Sequence, residues 1–203
     1  RVQRSPVPSF LRNLPMAFAG SVLLSELCLM LTRELVADRE TAVGMISELH
    51  PWQSGTVLYA AVAGVCLFAA GLPSGWVENR NVHRSIPGRV AAHPGLVRVF
   101  GERRSRAMGD FIDANLGMLT GNAFLGFALG SMGTLGEILG LPLDIRHVAF
   151  ASAHFGTALE VLDLQLAWSI AWPVAVGVAL IGLINFLVSF GLSLATALES
   201  MRV

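Results

Sequence analysis

The chain has 203 residues, of which 54% are hydrophobic and 14% charged, with no net charge at neutral pH. A soluble domain carries about 25% charged residues, so an ordinary soluble globule is set aside, and the zero net charge excludes attraction of nucleic acid by the chain's overall field. All 14 basic residues are arginine, and the two cysteines, Cys28 and Cys66, lie in apolar runs, which argues against a disulfide framework.

A membrane-spanning helix needs about 20 apolar residues. The first stretch that meets this is Leu14–Thr32, which contains Glu26. The second is Gly55–Leu72 and the third Ala114–Gly136, the latter free of charge between Asp113 and Glu137. The fourth lies in an uncharged run from Leu164 to Leu198, which at 1.5 Å per residue is about 52 Å as a straight helix, longer than a bilayer core. Pro173 suits the first turn of a helix, so the span is placed at 173–197.

The connections set the orientation. Arg1, Arg4 and Arg12 precede the first span, and seven arginines from Arg80 to Arg106 fill the connection 73–113. The loop after the first span is acidic as well as basic, and Arg146 is the one arginine between the third span and the fourth. By the positive-inside rule both termini and the 73–113 loop lie in the cytoplasm. Trp52, Trp76, Trp168 and Trp172 fall at the expected water–lipid boundaries, where tryptophan is enriched. The segment 144–172 carries Val148, Phe155, Leu159, Leu162 and Leu166 at helical spacing and is read as an interfacial or re-entrant helix. A fifth span there would move the C-terminus outside; Glu160 and Asp163 make that insertion costly. The expected fold is thus all-α, an integral membrane helical bundle of about four spans in a single transmembrane domain.

Few residues carry candidate chemistry. Glu26 is an ionisable group inside a span, fit to bind a cation, relay a proton or pair with a polar neighbour such as Asn122 or Asn185. Gly117, Gly121, Gly126 and Gly130 repeat at four-residue spacing, which lets helices approach closely in lipid. Gly130, Gly133 and Gly136 could alternatively break the helix, as in transporters. Asp144, Arg146 and His147 cluster near the start of the interfacial segment, and His147 and His154 share a helix face. No zinc motif, phosphate loop or nucleophile elbow occurs, so no metal, cofactor or catalytic residue is assigned. The partners expected are lipid and other membrane helices or subunits, not nucleic acid.

The segments "GWVENRNVHRSIPGRVAAHPGLVRVFGERRSRAMGDFIDANLGMLTGNAFLGFALG", "LGLPLDIRHVAFASAHFGTAL" and "ALIGLINFLVSFGLSLATAL" resemble bacterial membrane proteins of the family named site-specific recombinase. The resemblance runs from about Pro51 to the C-terminus, and more loosely over the first span, and rests on Gly75-Trp76, Glu78-Asn79, His93-Pro94, Gly121-Asn122 and the run Leu141–Val148. It implies that the chain, which begins with Arg1, is the membrane-embedded C-terminal part of a longer protein in the inner membrane of a Gram-negative bacterium. The family name implies DNA strand exchange. A tyrosine recombinase needs a tyrosine nucleophile and His-x-x-Arg; this chain has one tyrosine, Tyr59, inside the second span, and no His-x-x-Arg. A serine recombinase needs a serine nucleophile in a soluble catalytic domain, and none surrounds Ser5 or Ser105. The expected function is a non-enzymatic membrane subunit or scaffold, the alternative a transporter or channel-like domain using Glu26 and the glycine-rich third span.

Overall fold

The structure, a computed structural model, describes the backbone of residues 6–51, 55–141, 147–162 and 164–202, and the side chains of 14–51, 55–141, 147–162 and 172–202. Among these residues the regular structure is entirely helical: α1 (Pro6–Thr32), α2 (Arg39–Ser47), α3 (Thr56–Arg84), α4 (Ile86–Ala91), α5 (Pro94–Phe100), α6 (Glu102–Gly130), α7 (Met132–Leu139), α8 (Val148–Val161) and α9 (Leu164–Ser200). Three helices are long and apolar enough to cross a membrane, over Leu14–Thr32, Thr56–Arg84 and Trp172–Ser200. The expected span at 114–136 falls in α6 and α7, and the structure does not confirm a count of four. Helix α6 closes at Gly130, and two asparagines and four glycines dilute its apolar half.

Two further elements differ from the sequence reading. The long apolar helix begins at Leu164, not Pro173, and carries Pro173 in its interior. Proline removes one backbone donor there, yet the apolar residues on both sides keep the helix continuous. The 73–113 connection is helical through most of its length, since α3 runs on to Arg84 and α4, α5 and the start of α6 follow.

The chain resolves into two compact units. Unit one holds residues 1–65 and 135–203. Its centre is the seam between α1 and α8. The Ser152 hydroxyl donates to the Leu14 carbonyl at 2.9 Å, and Gly156 lies so close to Phe18 and Ser21 that a side chain would collide with them. Contacts advance together along both helices, so α1 and α8 run parallel. Helix α9 returns antiparallel to α8, with Asn185 beside the first residue of α8. Helix α3 sets off in the direction of α9: Ala60 meets Asn185, and Gly64 meets Val188. Leu49, Ala60, Val148, Ala151, Val174 and Ile181 form the apolar core of this unit. Helix α2 is capped by Asp38, whose carboxylate accepts from the Thr41 amide at 2.8 Å. Hydrogen bonds from the Thr41 side chain and then from its amide hold the Asp38 carboxyl below the usual carboxylate range. Ala42 of α2 then packs on Ala158 and Leu162, and the Leu49 carbonyl presses on Gly177 of α9, where no side chain fits.

Unit two holds residues 66–134. Here α6 turns a ridge of small residues, Ser105, Gly109, Gly117 and Gly121, inward. Gly121 faces the Ala70 carbonyl and Ser74, Gly117 faces Glu78, and Gly109 faces the Pro87 carbonyl. Contacts advance along α6 as they recede along α3, so these two helices are antiparallel. The absence of Cβ atoms brings backbones together, which is how helices associate where solvent supplies no hydrophobic drive. Ser85 makes the corner between α3 and α4 in the left-handed region, at φ 48°.

Candidate functional site

The α1–α8 seam ends in two carboxylates. Ser152 and Gly156 lie one turn apart on α8, and Glu160 follows one turn further on the same face. The matching residues of α1 are Leu14, then Phe18 and Ser21, then Ser25 and Glu26. Glu160 Oε1 is buried and has no hydrogen-bond partner among the described residues. Burial, together with the Glu26 charge beside it, pushes the Glu160 carboxyl above the ordinary glutamate range, and a hydrogen bond with Ser25 acts the other way. Glu26 is exposed at the surface of α1, and Ser25 is buried in the seam. Two like charges side by side repel, which adds to the cost of ionising Glu160.

Asn185 occupies a second polar position. It is buried, its Nδ2 donates to the Ala60 carbonyl at 2.7 Å, and its Oδ1 accepts from the Val148 amide at 3.1 Å. The Val148 amide is one of the donors that every helix start leaves without an intrahelical partner. One side chain therefore ties α3, α8 and α9. His147 caps α8, its Nδ1 accepting from the Ala149 amide at 3.4 Å. Its ring meets Phe150 edge-on, and burial pulls its imidazole below the usual histidine range.

The structure brings Glu26 to Glu160 rather than to Asn185. Asn122 lies exposed on α6 in unit two. Asp144 and Arg146 lie outside the described residues. Gly117 and Gly121 are packed, whereas a Cβ on Gly126 or Gly130 would meet nothing within 4 Å. Among the described residues no three His, Cys, Asp or Glu side chains gather as metal ligands. The sequence reading passed over Ser25, Ser152 and Gly156. Ser152-x-x-x-Gly156 carried the signal, being small residues four apart on an apolar helix.

The profile of one family, described as Site-specific recombinase, matches residues 1–203. No curated protein and no solved structure matches the chain.

Proposed function

The chain belongs to the site-specific recombinase family, and on that premise we propose that it acts as a non-enzymatic membrane subunit, a scaffold that packs against further helices in a larger assembly. The observation that carries this reading is the amount of apolar helix the chain leaves uncovered. Within the three candidate spans, only 6% of the α1 window, 33% of the α3 window and 28% of the α9 window is buried against the chain itself. Leu14 and Ala60 meet α8 and α9 about one turn apart, and α1 and α3 leave that level in opposite directions. Helix α9 has 37 residues and is about 55 Å long, against about 30 Å of bilayer core. One bilayer covers part of this surface, and partner helices suit the remainder. Gly126 and Gly130, open and four apart on α6, fit the close approach of such a helix.

The setting we propose is the inner membrane of a Gram-negative bacterium, with both termini in the cytoplasm as the arginine distribution favours. Strand exchange, which the family's description names, is not favoured by these residues: Tyr59 is half-buried on α3 within a candidate span. A second reading, proton or cation movement, draws support from the Glu26–Glu160 pair alone. The test of the scaffold reading is purification of the full chain from native membranes in mild detergent, followed by native mass spectrometry. A stoichiometric partner or a self-assembled oligomer is expected. A bare monomer retaining no protein partner would overturn the scaffold.

A further inference from the structure

In unit two Ser85 makes the corner between α3 and α4, and its consequence is a concentration of positive charge. Arg80 and Arg84, one turn apart on α3, share a cavity of about 370 Å³ with Arg89 of α4 and His93. Its apolar wall comes from Ile86 and Val90. None of the three guanidiniums forms an ion pair among the described residues, whereas Arg106 pairs with Glu102 at 2.9 Å. Like charges one turn apart on a helix repel, so an arrangement of three around one cavity asks for an anion. Arginine presents a fork of donors that suits phosphate oxygens. Arg80 also lies over the ring of Trp76, 5.0 Å from its centroid, and Trp76 is exposed at the polar end of the α3 candidate span. Tryptophan and arginine together at such a boundary mark the level of lipid head groups.

We propose that this cavity binds the phosphate of an anionic phospholipid, with Arg84 and Arg89 gripping the phosphate and Ile86 and Val90 lying along the glycerol and upper acyl chain. A phospholipid is favoured over a nucleic acid because the charges converge on one partly apolar cavity. A nucleic-acid surface instead spreads cations along a groove with aromatic platforms for the bases. The inference rests on the membrane reading above, and the experiment separates the two. The full chain is first washed in alkaline carbonate; release from the membrane would overturn the membrane reading itself. Retained protein is then placed in nanodiscs of phosphatidylcholine with or without phosphatidylglycerol, and bound lipid is counted by native mass spectrometry.

Selective retention of phosphatidylglycerol is expected, with a loss of roughly tenfold or more in the Arg84→Gln/Arg89→Gln variant, at about one order of magnitude per one to two cationic contacts. Arg84→Lys/Arg89→Lys should retain part of the preference, and Arg103→Gln all of it. Melting curves for each variant report on folding. Equal retention of the two lipids, an equal loss in Arg103→Gln, displacement of the lipid by millimolar inorganic phosphate, or tighter capture of a duplex oligonucleotide would each overturn the proposal.

Discussion

Asn185 is buried among apolar side chains, where an amide is costly unless each of its groups is paired. It supplies what two backbone groups on other helices lack, a donor for Ala60 and an acceptor for Val148. Asn185→Ala should therefore cost about 1–2 kcal/mol, the range for buried groups left unpaired in a membrane protein, read as a lower melting temperature in detergent. An unchanged melting temperature would show that the joint is idle. Glu160 yields a prediction about pH. Its carboxyl is raised in the folded state, so folding favours the protonated form. The stabilisation is complete below the ordinary glutamate range and is lost as pH rises through the raised value. Glu160→Gln should leave stability flat across that window, while the native chain loses stability from acid toward neutral pH. Parallel curves for the two proteins would refute the coupling.

At the level of helices, small residues decide which faces meet. Gly156 lies 2.9 Å, measured from where a Cβ would stand, from the Phe18 carbonyl. Gly156→Ala should open the α1–α8 seam and cost about 1–3 kcal/mol through overpacking. Gly126 has open space around it. Gly126→Leu is expected to leave the isolated chain as stable as before and to weaken the proposed assembly, as judged by loss of the co-purified partner. Destabilisation of the isolated chain itself would place Gly126 in an internal contact instead. The span near Leu14–Thr32 was legible because an apolar run of that length has a single physical solution in lipid, a helix whose backbone bonds to itself. The end of α3 was not legible, because Pro73 and the arginines after it read as a break, yet the helix continues to Arg84. Helix α9 crossed Pro173 for a related reason: local propensity is weaker than the tertiary and apolar setting of a long helix.

For the whole molecule, direction matters more than count. In unit one α3 sets off alongside α9 and opposite to α1. Single cysteines placed at the ends of α1 and α9, in a chain with Cys28 and Cys66 replaced by alanine, should report it. Arg202→Cys is expected to react with an impermeant maleimide from one side of sealed vesicles, and Arg33→Cys from the other. Labelling of both from one side would contradict the arrangement.

Composition and charge pattern determined that the chain is helical and apolar enough to cross a membrane, and its short motifs carried the resemblance to its family, because hydropathy and short motifs are local properties. Local patterns cannot say which helix faces touch. The parallel seam of α1 and α8, the pairing of Glu26 with Glu160, the joint at Asn185 and the convergence of Arg80, Arg84 and Arg89 were decided only by tertiary structure. The first three depend on residues far apart in sequence, and the arginine convergence depends on the left-handed corner at Ser85.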